Sequence, residues 1–305
     1  MKIFITGSTG FIGKHLIERL SNHTLIPLTC DLRDYKNVEK QLVDSDPDII
    51  IHLAARTEVE KSFYEQLSFS EINYLGTVNL VESARQCKNL RNFIFSSTME
   101  VYGWQPISDY VKEGKKIERL PAFTEELTPN PNAPYAVAKY ACEKYIEYAG
   151  RSYNLPYTML RQTNTYGRKD NTFFVTEQII SQMLNNNQEI NLGYSTPYRN
   201  FLYIDDLIDA YESLIYNTDK VVKQLYNLGP DNAIQICDYV QLIANKIGWN
   251  GTVNYNTKPI RHGEIYYLNS SNSKLTLHTG WYPKIDLSEG LDRTIAYYKK
   301  LYGKD

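Results

Sequence analysis

The chain has 305 residues, a net charge of -2, and acidic and basic side chains mixed along its length. That length can bury a substantial core in one large or two smaller domains. The mixed charge leaves no basic face for nucleic acid and no polybasic patch for a membrane surface, so small-molecule partners are expected. No apolar run approaches the roughly 20 residues that cross a bilayer. Cys30, Cys87, Cys142 and Cys237 are too scattered for a zinc site or a disulfide framework. No charged-then-apolar leader precedes the first apolar run, and the expected compartment is a reducing cytoplasm.

Ile3, Phe4 and Ile5 read as a buried parallel strand, and Phe11, Ile12, Leu16, Ile17 and Leu20 recur behind it at helical spacing. Gly7, Gly10 and Gly13 stand between them. The first allows a tight turn, the second lets backbone approach a bulky anion, and the third lets the helix pack closely. A pyrophosphate would sit on the helix N-terminus, with Thr9, Phe11 and Ile12 beside the glycines as cofactor-binding candidates. The spacing is one residue longer at the first gap than the common dinucleotide fingerprint, so a glycine-rich turn of another α/β protein is the alternative.

Leu25 to Thr29 reads as the second strand, with Asp31 and Leu32 beyond it where a cofactor ribose or adenine would lie. An acidic residue at that interval points to NAD over NADP. The chain then runs straight into a helical stretch, Tyr35 to Val43, as though the piece between second and third strands were missing; Arg33 would then be available to a 2'-phosphate. Asp31 or Asp34 can equally serve as a helix cap. Asp48 to Ala55 is the next strand, its end placing Leu53, Ala54 and Ala55 against a cofactor, with His52 expected as a core histidine. A helix follows from Ile72 to Arg85, in which Asn73 either bonds the sheet or is solvated. Asn92 to Ser97 is a further buried strand, with Ser96 near the cofactor.

Two segments carry chemistry. If Thr98 and Glu100 continue the extended backbone, their side chains face the ligand crevice together and Met99 turns away. Pro134 suits the first position of a helix, which puts Tyr135 and Lys139 one turn apart on one face. An ammonium there favours the phenolate; moving a phenol from about 10 to about 7 requires roughly 4 kcal/mol. The tyrosine could then exchange a proton with an alcohol near neutral pH. Downstream, Phe173 to Leu184 reads as a helix, Phe201 to Tyr216 as a strand leading into a helix, Tyr226 to Gly229 as a strand and turn, and Asp238 to Ile247 as a helix stopped by Gly248.

Together these residues resemble the extended short-chain dehydrogenase/reductase family, in its branch of nucleotide-sugar epimerases, dehydratases and keto-reductases, over nearly the whole chain. The resemblance implies an α/β fold: a doubly wound parallel-sheet Rossmann domain (1–167) that binds NAD or NADP, and a smaller α/β substrate lobe (168–305), part of 200–229 returning to the main sheet. It implies that Thr98 hydrogen-bonds the reacting sugar oxygen, that Tyr135 is the acid/base, and that Lys139 lowers its pKa and holds the nicotinamide ribose. Asn164, Arg199 and Arg261 would hold the diphosphate of a nucleoside-diphosphate sugar. Trp104 to Phe123 is longer than this loop usually is and would cover the sugar. Met99 replaces the acid that dehydratases place between Thr and Glu, whereas the shortened link after Asp31 resembles 4-keto-sugar reductases. Hydride transfer at C4, by an epimerase or a 4-keto reductase, is therefore expected. The rivals are a 4,6-dehydratase, a steroid- or phenolic-ketone reductase, and a non-catalytic NAD(P)-sensing protein; a homodimer is left open.

Overall fold

The computed structural model describes residues 1–305 except 116, 118, 170, 186–187, 258–262 and 305. Its first half alternates β1 (Lys2–Thr6), α1 (Phe11–Arg19), β2 (Thr24–Pro27), α2 (Tyr35–Ser45), β3 (Ile49–His52), α3 (Gly76–Ala84), β4 (Asn92–Thr98), α4 (Pro106–Lys112), α5 (Pro134–Tyr153) and β5 (Tyr157–Gln162). The second half supplies β6 (Asn164–Tyr166), α6 (Val175–Leu184), β7 (Glu189–Asn191), β8 (Tyr198–Arg199), β9 (Phe201–Tyr203), α7 (Ile204–Tyr216) and β10 (Gln224–Leu228). It ends with β11 (Ile234–Gln235), α8 (Ile236–Ile247), β12 (Thr252–Asn254), α9 (Ser273–Thr279) and α10 (Leu287–Leu301).

Six strands form one parallel sheet in the order β10-β5-β4-β3-β1-β2. Its strands are apolar because helices cover both faces. Alternate residues sort accordingly: Ile3, Ile5 and Ile51 meet Leu16 of α1 and Leu207 of α7, while Phe4, Ile50 and Phe93 meet Leu42 of α2 and Ile146 of α5. One apolar core runs from Ile3 through Leu160 to Ile179, Tyr239 and Trp281. The small pairs β6·β9, β7·β12 and β8·β11 flank the cleft side.

The missing link has a plain structural counterpart: β2 is an edge strand, and the chain passes from it directly into α2, with Asp34 as the N-cap accepting from Asn37 N–H. β2 stops at Pro27, short of Thr29, because the Thr29 amide turns to Gln41 Oε1 instead of the sheet. The helix expected from Ile72 begins earlier, in a π-helical turn at Ser70–Leu75. That turn buries Asn73, whose amide bonds both the N–H and C=O of Arg56, closing the loop that leaves β3.

Candidate active site

The glycine turn after β1 is built as its spacing requires. Gly7 has φ +71°, which favours glycine, and Gly10 N–H bonds Gly7 C=O at 3.0 Å. A Cβ on Gly13 would stand 2.2 Å from the Gly7 carbonyl oxygen, so α1 can pack onto the turn only without one. Gly10 opens onto a cleft of about 840 Å³ whose walls include Thr9, Phe11, Ile12, Leu53, Ala54 and Ala55. This cradle at a helix N-terminus fits a dinucleotide pyrophosphate.

A buried chain of hydrogen bonds supports it. Ala54 N–H donates to Thr6 Oγ1, which meets His52 Nδ1 at 2.7 Å; His52 Nε2 meets Thr77 Oγ1, which donates to Asn73 C=O. Since Thr77 spends its proton on Asn73, His52 carries its own on Nε2. Burial, then the charge of Lys139, pushes this imidazole down to about 3, so it stays neutral. His52 is a satisfied core residue, as expected.

At the end of β4, three consecutive residues meet α5. Lys139 Nζ donates to Ser96 C=O at 2.8 Å, Ser97 Oγ donates to Glu143, and the Thr98 hydroxyl lies close enough to Tyr135 to draw down its pKa. Pro134 is the first residue of α5, and Tyr135 and Lys139 are both buried on its inner face. Thr98, Tyr135 and Glu100 line the cleft, but not in the expected way. Extension stops at Thr98: Met99–Tyr102 is a 3-10 turn in which Thr98 Oγ1 accepts the Glu100 N–H at 3.2 Å. A capping threonine thus overrides the two-residue period. Met99 is buried with Tyr102, Val111 and Phe123.

The electrostatics also differ from expectation. Burial holds the Tyr135 phenol above its ordinary value; the nearby Thr98 hydroxyl opposes this, and the charge of Glu100 reinforces it. Lys139 does not offset it, because its amine is turned to the Ser96 carbonyl and lies 4.7 Å from the centre of the Phe95 ring. Its own pKa is pushed down to about 8, chiefly by burial.

Other expected residues are dispersed. Asp31 is exposed and forms a double hydrogen bond with Arg33, which holds its carboxyl at about 2; Leu32 is buried against α2 and α3. Neither lines the cleft, and nor do Ser96, whose Oγ accepts from Gln162, or Lys139. Asn164 and Arg199 do line it. Asn164 donates to Asn200 C=O, while Arg199 Nη2 reaches Glu264 at 3.0 Å and Ile265 C=O at 2.6 Å. Arg261 lies outside the described residues. No described residue of the Trp104 to Phe123 segment lines the cleft; Val111 and Phe123 pack on Ile265 and Leu268, which do, so the segment buttresses the wall.

Two groups escaped the sequence reading. Glu264 is 65 residues from Arg199 and shares no periodicity with it. Lys169 and Glu177 are both buried in the cleft wall, with Glu177 pushed up to about 6 by burial, which the charge of Lys169 partly opposes. Lys169 follows Tyr166-Gly167-Arg168, where a surface reading was equally natural.

A parallel sheet with a glycine turn at a helix N-terminus, and a Thr-Tyr pair on the same cleft with a buried Lys one helical turn away, define a dinucleotide-binding fold equipped for proton exchange with an alcohol or ketone. The model of the NAD dependent epimerase/dehydratase family matches residues 3–229, and the chain belongs to that family. It is similar to dTDP-D-glucose 4,6-dehydratase of Dictyostelium discoideum, 32% identical over 80% of this chain and 62% of that one. Among solved structures it is similar to UDP-glucose 4-epimerase of Thermotoga maritima with UDP-glucose, at TM-score 0.88, 26% identity and coverage of 99% and 100%. It is also similar to UDP-glucuronic acid 4-epimerase of Bacillus cereus with UDP-glucuronic acid and NAD, at TM-score 0.86, 26% identity and the same coverage. The protein is thus an NAD(P)-dependent nucleotide-sugar enzyme of the extended short-chain dehydrogenase/reductase type. Among the described residues no helix is long and apolar enough to cross a membrane.

Proposed function

We propose that this enzyme transfers hydride at C4 of a nucleoside-diphosphate sugar, inverting C4 as an epimerase. The observation that carries the reading is the placement of Thr98 and Tyr135 together on the cleft wall, with Lys139 one turn along α5. A nicotinamide dinucleotide, when bound, takes or returns the hydride and in its oxidised form brings a positive charge. Gly7 to Gly13 would hold its pyrophosphate, with Leu53 to Ala55 against it and Lys139 toward its ribose. Asp31 directs the reading toward NAD, and its partner Arg33 is the residue that would receive a 2'-phosphate.

Tyr135 exchanges the proton of the O4 hydroxyl, and Thr98 holds that oxygen by a second hydrogen bond. A phenol is protonated near neutral pH and so can donate, as a 4-keto-sugar reductase, the second reading, requires. A 4,6-dehydratase needs an acid at the departing hydroxyl, which Met99 is not. An intact Thr98, Tyr135 and Lys139 argue against a non-catalytic sensor. We assign residues 1–167 to the cofactor and 168–305 to the nucleotide sugar, place the enzyme in the cytoplasm, and propose no nucleic-acid partner. Exposed Leu67, Leu75 and Val137 on neighbouring helical segments support a homodimer, which sedimentation equilibrium decides.

Asn164, Arg199 and Arg261 are the proposed diphosphate ligands. Charge-assisted hydrogen bonds contribute about 1.5 to 3 kcal/mol each. Replacing Arg199 with Ala also leaves Glu264 unpaired beside an anion. Arg199→Ala should therefore weaken binding of UDP or dTDP, read by calorimetry, by about tenfold or more, with NAD(P) affinity within about twofold. Equal loss for both ligands, or for neither, contradicts the assignment.

A further inference from the structure

Tyr135, Lys139 and Glu143 occupy three successive turns of α5; Lys139 and Glu143 are hydrogen-bonded to Ser96 and Ser97 of β4, and Tyr135 stands on the cleft with the next residue, Thr98. The catalytic reading uses the first two and leaves the third. Glu143 is fully buried, and so are its partners Ser97 and Arg161. Arg161 stands opposite Ser97 in the β4–β5 register and grips the carboxylate with two bonds, Nε to Oε1 at 3.1 Å and Nη2 to Oε2 at 2.7 Å. Its guanidinium lies 4.7 Å from the centre of the Tyr102 ring, in the turn that follows Thr98. Tyr102 in turn donates to Thr124 C=O and to Asn227 of β10. The network therefore joins α5, β4, β5, β10 and the capping turn behind the Thr98–Tyr135 pair.

A buried ion pair contributes little net stability over apolar packing, whereas its directional bonds fix geometry. Ser97 lies between the residue that anchors Lys139 and the residue that meets Tyr135. A shift of about 1 Å between β4 and α5 is enough to impair proton transfer on the order of a hundredfold. We propose that Glu143 is a positioning residue, which acts through Ser97 to hold Thr98 in register with Tyr135, while Arg161 balances its charge. This rests on the C4 reading for its kinetic consequence, though not for its structural one.

Ser97→Ala removes the link and leaves the ion pair whole, so it should fold where Glu143→Gln is at risk. The expected result is a fall in kcat of about tenfold, with KM and NAD(P) affinity within about twofold. Glu143→Gln, where it folds, should fall at least as far, and the double variant no further than Glu143→Gln alone, because both changes break one link. Full kcat in Ser97→Ala, or losses that multiply, would overturn the proposal. A crystal structure of Ser97→Ala decides it independently of substrate. The separation of the Thr98 and Tyr135 hydroxyls should change while Arg161–Glu143 persists; an unchanged separation would refute positioning even if the enzyme turned over no nucleotide sugar. Wild-type inactivity on nucleotide sugars with a changed Thr98–Tyr135 separation in the variant would instead count against the C4 reading alone.

Discussion

Tyr135→Phe should lower kcat by about two orders of magnitude or more, the range for lost acid-base catalysis, with nucleotide-sugar and NAD(P) affinities nearly unchanged. Phenylalanine fills the same space beside Phe69, whose ring packs edge-on against Tyr135, so the helix and its contacts persist. What disappears is the hydroxyl that shares the cleft wall with Thr98. In the oxidative direction a phenolate would be needed, and an oxidised nicotinamide would supply the positive charge that favours it. The reductive direction needs only the proton already in place. Turnover in Tyr135→Phe within about fivefold of wild type would remove Tyr135 from its role.

Gly10→Val should abolish measurable dinucleotide binding, by about a hundredfold or more in Kd, and leave the fold in place. Gly10 has φ -75° and ψ 175°, a backbone that any residue adopts, and its Cβ would lie 3.2 Å from the Gly7 carbonyl oxygen, tight but tolerable. The side chain would stand over the N–H groups proposed to hold the pyrophosphate. Gly7 and Gly13 make poor probes by contrast: one has φ +71°, and the other would drive a Cβ to 2.2 Å from backbone. Either change would unfold the turn, so lost binding would say nothing about the ligand. Circular dichroism and a melting curve should show Gly10→Val folded; unchanged affinity in that folded protein would move the cofactor away from the turn.

The sheet was legible because each central strand is a continuous apolar run, and the helices because their apolar faces repeat at 3.6 residues. Even the shortened link after β2 could be read, since Asp31 to Asp34 leaves no room for another strand. The glycine turn and the Tyr135–Lys139 spacing were legible for the same reason: both are local. What failed was decided by partners distant in sequence or by competing local bonds. Nothing before Gly103 signals that Thr98 will cap a 3-10 turn and end the extended run. Lys139 shares a helix face with Tyr135, yet its amine is claimed by a carbonyl 43 residues away. Arg199 meets Glu264, and Glu143 meets Arg161, only once the strands are assembled.

The central claim, that chemistry is confined to C4, separates cleanly from its rivals by isotope. Elimination across C5 and C6, or inversion at C5, requires a carboxylate to remove the proton α to a 4-keto group, and Glu100 at the cleft is the group placed to do it. Epimerisation or reduction at C4 requires no such base. The decisive measurement is turnover of UDP- and dTDP-sugars in deuterated water, with products analysed by NMR for deuterium at C5, in wild type and in Glu100→Gln. The account predicts C4 chemistry with no deuterium at C5 and only a minor loss of rate in Glu100→Gln. Deuterium at C5 that vanishes in Glu100→Gln would contradict it and make the enzyme a dehydratase or 5-epimerase.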